Sequence, residues 1–348
     1  MDFFFFARYL QESSMLSSLD YEIVNGLQIS PRIEWSDLAR SLDVSAATLG
    51  RRWATLRDAG RAWVVPSPGP ELPTYRAVAF ALVKCLPGRR MKVAEAIAGH
   101  PEAITVEITA GTADLQLDLA ARDMHALSEY LMETLGGVSG VSEVRTAFVT
   151  QLYQEASQWE LRTLNPAQMK NLAGHRSRLK SEGIADRTLD WLDQELLGQL
   201  MVDGRRTWSE LAASTGTSPG TAKRRIDSLQ KAGLMSFRCE VDAELADYPV
   251  SVSLLVSVPP AQLDSARSMA QKLPECRLAS AVTGPHNLFL NLWLPHLSHL
   301  PRVEAGICSK IPELQVHDRL VAVRTIKRAG GLLDSRGRRT GVIALSAW

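Results

Sequence analysis

One pattern occurs twice in this chain, and that duplication limits its possible folds more than any other feature. Thr207 to Gly233 reads TWSELAASTGTSPGTAKRRIDSLQKAG. Moved back by 173 residues, Trp208 to Gly233 falls on Trp35 to Gly60, and twelve of the 26 positions are identical. The shared residues are the Trp-Ser pair, Leu-Ala, two serines, a threonine, Arg-Arg, a leucine and the closing Ala-Gly. The same register brings Tyr75 onto Tyr248, Pro101-Glu102 onto Pro274-Glu275 and Gly111 onto Gly284. A match that keeps register this far marks a duplicated two-domain unit.

Each copy reads as two short helices around a tight turn. Thr207 with Glu210 three residues on has the form of a capping box, and Gly216 suits a turn that needs positive φ. Ser218 caps the next helix, with Pro219 in its first position. Ala222, Ile226 and Leu229 face inward at helical spacing, and Gly233 closes the helix. Lys223, Arg224 and Arg225 are left for solvent or phosphate. This is a helix-turn-helix whose second helix carries the charge that DNA contact requires. Ser218, Thr221, Lys223, Arg224 and Arg225 are its expected DNA-contacting residues. Ser45, Thr48, Arg51 and Arg52 are their counterparts in the first copy.

The first copy is the poorer one. Glu34 stands where Thr207 caps, Trp53 stands for Ile226, and Gly50 sits within the helix at a cost of about 1 kcal/mol. Only Arg51, Arg52 and Arg57 remain as its cations. Weak DNA binding and a purely structural role both fit it.

Read in order, the chain divides into seven parts. A first helix-turn-helix domain covers 16–66, with a short wing strand at Trp63 to Val65. A Pro- and Gly-rich linker over Pro66 to Pro73 follows. Residues 75–153 then give the order βαββαβ, with clean alternation of Ile104, Val106 and Ile108 against Thr105, Glu107 and Thr109. This is the ferredoxin-like split unit. Residues 154–185 link the copies. Their cations, among them Arg162, Lys170, Arg176, Arg178 and Lys180, read as a solvated connector or, more sharply, as phosphate contacts. A second helix-turn-helix domain covers 186–241, a second βαββαβ domain 248–326, and a mobile basic tail 327–348. The fold class is α+β, two winged helix-turn-helix domains alternating with two ferredoxin-like domains.

Net charge is +1, so any nucleic-acid contact must rest on local charge. The cysteines, Cys85, Cys239, Cys276 and Cys308, show no CxxC spacing, which argues against structural zinc and suits a cytoplasmic setting. No run approaches the roughly 18 apolar residues of a membrane span. Phe3 to Phe6 read as packing on a neighbouring domain or subunit. His296 and His299 have i,i+3 spacing but no third ligand nearby in sequence, so neither a metal nor any cofactor is expected.

These residues resemble the Lrp/AsnC, or feast/famine, family of transcription regulators. Leu189 to Arg205 is similar to the family's opening helix, and Glu210 to Met235 to its helix-turn-helix. The βαββαβ domains resemble its effector-binding and dimerising module. Gly111-Thr112-Ala113-Asp114 and Gly284-Pro285-His286-Asn287 fall where the family has a Gly-x-x-Asp turn. The resemblance covers nearly the whole chain, twice, and the fused arrangement departs from the family's single unit per chain. It implies a regulator of double-stranded DNA, not an enzyme, that responds to an amino acid or other small effector through Gly111, Asp114, Gly284 and Asn287. It also implies a homo-oligomer, at least a dimer, with unpaired sheet edges favouring association between chains over pairing within one. Asn287 lacks the charge of Asp114. Both residues orienting a ligand, and both merely stabilising a turn, remain open.

Two rival readings stand beside this one. Sirohaem decarboxylases resemble the same fold and also occur as fused chains. His286-Asn287-Leu288 and Asn291-Leu292-Trp293 are only faintly similar to their segments, and no basic cluster for a polycarboxylate tetrapyrrole is expected around them. A structural interaction protein would require both helix-turn-helix units to be vestigial.

Overall fold

The computed structural model describes residues 16–69, 71–175 and 189–347. Phe3 to Phe6, Arg176, Arg178, Lys180 and the expected start of the second unit at Asp186 lie outside them.

Three helices open the chain: α1 (Ser18–Ile29), α2 (Trp35–Leu42) and α3 (Ala46–Asp58), followed by strand β1 (Ala62–Pro68). A short helix α4 (Leu72–Tyr75) leads into β2 (Ala77–Cys85), α5 (Arg90–Ala98), β3 (Ala103–Ala110) and β4 (Leu115–Ala121). Helix α6 (Met124–Glu129) widens into a π-turn over Tyr130–Leu135 before β5 (Val141–Gln154). After α7 (Pro166–Leu172) the order repeats: α8 (Trp191–Val202), α9 (Trp208–Thr215), α10 (Pro219–Lys231) and β6 (Met235–Val241). A turn of helix, α11 (Ala243–Ala246), precedes β7 (Val250–Ser257), α12 (Leu263–Lys272), β8 (Cys276–Val282) and β9 (Leu288–Leu294). Helix α13 (Leu300–Lys310) and strand β10 (Gln315–Arg328) follow, and a hairpin of β11 (Gly331–Leu333) and β12 (Arg339–Val342) is the last regular element among the described residues.

The two βαββαβ halves do not form separate sheets. Edge strand β3 pairs with β10 of the other half, β5 pairs with β8, and β10 also pairs with β7. The eight strands β2 to β5 and β7 to β10 therefore close into one barrel. Each half covers its own outer face, α5 and α6 on one core, α12 and α13 on the other. Phe80 and Phe289 stack inside with centroids 4.0 Å apart. The expectation that open sheet edges would drive association between chains is corrected here. Both edges find partners within the chain, and closure leaves no barrel edge to cap.

The helical units are joined just as intimately. β1 and β6 pair antiparallel over their full lengths, with Val65 opposite Arg238. These two residues are themselves 173 apart, so a pseudo-two-fold axis passes through this ribbon. Arg32 donates to the carbonyls of Gly204 and Arg206, and its guanidinium lies 4.1 Å from the Trp208 ring centroid. Arg205 donates to the carbonyls of Pro31 and Ile33 at 2.7 and 2.8 Å and lies 4.0 Å from the Trp35 ring. The same arginine, one in each copy, thus clasps the opposite unit.

Two further expectations change. Pro66 and Pro68 belong to β1 and not to a linker, because the partner ribbon extends the wing to seven residues. The segment after Lys327 is not a mobile tail. Lys327 and Arg328 are buried, and the Lys327 ammonium donates to the His100 carbonyl at 2.8 Å. β11 pairs with β10, Arg339 donates to the carbonyls of Met201 and Val202, and Arg338 lies near Asp242 and Glu244. The hairpin fastens the barrel to the helical units.

Replacing either clasp arginine by alanine removes charge-assisted bonds and an arginine–indole contact, at about 2 kcal/mol. Arg32→Ala and Arg205→Ala are each expected to lower the urea midpoint. Arg205→Lys should not restore it, since an ammonium cannot fork to two carbonyls while lying flat on indole. Unchanged midpoints would remove the clasp from the account.

Candidate nucleic-acid interface and barrel cavity

The second helix-turn-helix forms as its caps dictate. Thr207 and Glu210 make a full capping box, Gly216 takes φ +67° at the end of α9, and Ser218 Oγ accepts from the Thr221 amide at 3.1 Å. In the first copy Ser45 Oγ accepts from the Thr48 amide at the same distance, whereas Glu34 makes no side-chain cap. Asp43 supplies the left-handed residue that Gly216 supplies in the second copy. A Cβ at Gly50 would meet only Trp35 Nε1, at 3.9 Å, so packing does not require glycine there.

The repeated Arg-Arg pair separates into two roles. Arg225 turns inward, bonded to Asp190 and 3.3 Å from buried Asp193, and these carboxylates hold its pKa above the usual value. Arg52, its counterpart, bonds both oxygens of buried Asp20 at 3.0 Å. Asp20 and Asp193 are also 173 apart. The second arginine of each pair therefore pins the third helix to the first, and is engaged within the protein where DNA contact was expected of it. Lys223 pairs with Asp227 on its own helix, and Arg57 pairs with Asp58 and Asp203. Arg51 and Arg224 are exposed and form no ion pair among the described residues, so at the repeated pair the outward charge is theirs.

The Gly-x-x-Asp turns are engaged locally. Asp114 accepts from the Cys85 amide at 2.8 Å and from Arg90. Asn287 accepts from the Val258 amide at 2.9 Å and donates to the Val258 carbonyl at 2.8 Å. Each thus ties its turn to the end of the first strand in its half. Gly111 takes φ +146°, and a Cβ there would fall 2.7 Å from the Leu320 side chain at the junction of halves. Gly284 takes φ +102° in open space. His296 and His299 lie edge to face at 6.0 Å, and no group of three or more potential metal ligands occurs among the described residues.

Sequence reasoning did not find the barrel interior. It holds a cavity of about 100 Å³ lined by Glu107, Asp118, Glu155, Arg238, Arg277 and Arg328, among others. Burial, and then the charge of Glu107 beside it, push the Asp118 carboxyl up to about 7. Burial alone raises Glu155 to about 7 as well, although Ser236 donates to it at 2.9 Å. Glu240, on β6 beside the cavity, is also raised by burial, but Arg238, Arg277 and Arg328 outweigh this and hold it low. Arg277 donates to Glu240 and lies 3.8 Å from the Trp293 ring. Arg238 Nε comes within 2.7 Å of Glu240 Oε1, close enough for an ion pair but not aimed for a hydrogen bond. A basic cluster thus does surround Trp293, contrary to expectation.

Residues 78–159 match the family model of the Lrp/AsnC ligand binding domain, and residues 189–230 that of the AsnC-type helix-turn-helix domain. An uncharacterized HTH-type transcriptional regulator of Pyrococcus horikoshii is 28% identical over 115 residues, 33% of this chain and 73% of that protein. The regulatory protein AsnC of Escherichia coli strain K12 is 28% identical over 146 residues, 40% of this chain and 96% of its own length. Among solved structures, the siroheme decarboxylase NirDL matches with a TM-score of 0.56 at 12% identity, over 90% of this chain and 93% of NirDL. That likeness is one of fold. No helix among the described residues is long and apolar enough to cross a membrane.

Two expectations follow. Arg52→Ala and Arg225→Ala should each lose 1–3 kcal/mol in denaturant titrations, about what a buried carboxylate costs when its partner goes, while Arg51→Ala and Arg224→Ala stay within about 0.5 kcal/mol of wild type. The Asp118 shift sets a pH dependence. Its folded pKa of about 7 exceeds an unfolded value of about 4. The folded state therefore holds the extra proton between these limits, and stability is lost as pH rises through that window. Asp118→Asn should raise the melting temperature more at pH 8 than at pH 4. An equal effect at both would contradict the assignment.

Proposed function

We propose that this chain is a DNA-binding transcription regulator of the Lrp/AsnC type, a tandem duplication that builds a regulator's dimer within one polypeptide. The observation that carries this reading is the pair of outward arginines, Arg51 and Arg224, on third helices joined about the β1–β6 ribbon. A two-fold pair of recognition helices suits two half-sites in successive major grooves, roughly 34 Å apart. The matched family models and the regulators of P. horikoshii and E. coli support the same class.

In this reading 16–66 and 186–241 are the helix-turn-helix domains, and 75–153 and 248–326 form the effector-type barrel. Residues 154–185 connect them, and the hairpin after Lys327 fastens barrel to helices. Ser45, Thr48, Ser218 and Thr221 cap the recognition helices and approach the DNA, while Arg51 and Arg224 meet phosphate. The second copy, with its capping box and without a mid-helix glycine, is the stronger binder. An assembly of whole chains, at least a dimer, belongs to the proposal and would use surfaces other than the barrel edges. A small effector belongs to it too. The turns at Gly111 to Asp114 and Gly284 to Asn287 support an effector site less well than expected, since their side chains are spent on backbone and Arg90.

The enzyme reading draws on the fold shared with NirDL and on the arginines around Trp293. Against it, a cavity of about 100 Å³ falls short of the roughly 300–1,000 Å³ that drug-sized ligands occupy, and a tetrapyrrole is larger still.

Genomic footprinting of the purified protein should reveal protected sites, and gel-shift titration on one of them tests the contacts. Arg224→Ala is expected to weaken binding on all sequences and to lower the salt slope by about 0.9. The double change Arg51→Ala plus Arg52→Ala should cost less affinity than Arg224→Ala plus Arg225→Ala. Unaltered affinity and slope for Arg224→Ala would overturn the interface. A spectral shift with added sirohaem, accompanied by carbon dioxide release, would overturn the class.

A further inference from the structure

The duplication has diverged most instructively inside the barrel. The register of 173 residues sets Glu107 against Ser280, Asp118 against Asn291 and Glu155 against Arg328. Going the other way, Arg238 answers Val65 and Arg277 answers Ile104. Every carboxylate of the cavity wall thus comes from the first copy, and every guanidinium from the second. Positions related by the pseudo-two-fold axis have become opposite or neutral, so a nearly symmetric shell encloses a polarised interior. A barrel that only had to hold its halves together would be served better by apolar side chains, because buried ion pairs rarely recover their desolvation.

The wall also contains polar atoms without partners. Gln116 is 2% exposed, and its Nε2 donates to Asp118 while its Oε1 has no donor. Glu155, 4% exposed, has a free Oε1, and the hydroxyl of fully buried Ser280 has no partner. Such atoms are costly when left unmet. Gln116 Oε1 and Glu155 Oε1 both call for a hydrogen-bond donor. On the other wall the guanidiniums of Arg238, Arg277 and Arg328 all lie within ion-pair reach of one carboxylate, Glu240.

We propose that the barrel interior is a binding site for one small zwitterion of amino-acid size, its ammonium on the first copy's carboxylates and its carboxylate on the second copy's guanidiniums. The cavity of about 100 Å³ suits such a molecule, since a single water needs only about 10–15 Å³ by the same measure. The site also reaches the DNA-binding units. Arg238 and Glu240 lie on β6, the strand that pairs with β1, and Ser67 and Pro68 of β1 line the same cavity. A ligand drawing on Arg277 and Arg238 alters the ion pairs that β6 makes with the barrel, and so the setting of the ribbon between the two recognition helices. The inference rests on the regulator reading for its consequence, but binding is measurable without DNA.

The test uses the full chain, with calorimetry and thermal melts against each of the proteinogenic amino acids at millimolar concentration. The decarboxylated amine and the N-acetyl derivative of any binder are run beside it. Saturable binding of one molecule per chain is expected, weakened roughly tenfold or more in either derivative, each of which lacks one charge-assisted contact. Asp118→Asn should weaken it by a similar factor. Ser280→Val replaces the unmet hydroxyl with methyl groups that fill the cavity, so its melting temperature should rise while ligand binding is lost. No binding by any amino acid, or binding indifferent to both substitutions, would overturn the site. Binding that falls with Asp114→Ala while Asp118→Asn leaves it intact would move it to the turn and overturn it equally. DNA binding by the ligand-free protein, and its loss in Arg224→Ala, tests the regulator reading separately.

Discussion

The structure depends on the exchange of strand edges between the two halves. A single βαββαβ sheet has helices on one face and leaves the other face, and its two edges, to find cover. Here β3 meets β10 and β5 meets β8, and both problems are solved together. The uncovered faces turn inward and become the wall of a barrel. Because both halves are tethered, closure is an intramolecular event at high effective concentration. The β1–β6 ribbon and the reciprocal arginines repeat the same solution one layer away. The molecule is thus held by three sets of contacts about one axis: barrel seams, ribbon and clasps.

Most local structure could be read directly. Ser45 and Ser218 cap where serine before a helical run should, and Thr207 with Glu210 closes a capping box. The order of strands and helices in each half follows from periodicity and turn residues. What could not be read lies between residues far apart in sequence. Alternation in β3 separates Thr105, Glu107 and Thr109 from their neighbours as a polar face, which ordinarily meets water. All three are buried here, because the face looks into a barrel. Periodicity reports that two faces differ, not what each one meets.

Some missed features did leave a trace in the repeat. Arg32 and Arg205 lie in register but three residues outside the window of strongest identity. Asp20 and Asp193 are likewise in register, and each faces the second arginine of its copy. A matched acid and base at fixed separation in both copies is the signature of an internal pair, and it distinguishes Arg52 and Arg225 from Arg51 and Arg224. The closing hairpin left no such trace. Strands of three and four residues flanked by arginines and glycines have the composition of a loop, and only the pairing of β11 with β10 gives them form.

On the function proposed above, joining both recognition helices in one polypeptide has an evolutionary consequence. In a homodimer one coding sequence specifies both recognition helices, so the two change together and the DNA they read is a palindrome. In this chain Ala47 and Gly50 stand where Gly220 and Lys223 stand in the other copy, and each position is free to drift alone. The shared axis fixes the spacing of two readers but not the identity of their texts. A regulator of the proposed kind would thus be able to settle on an asymmetric operator, which would give it a direction along the DNA.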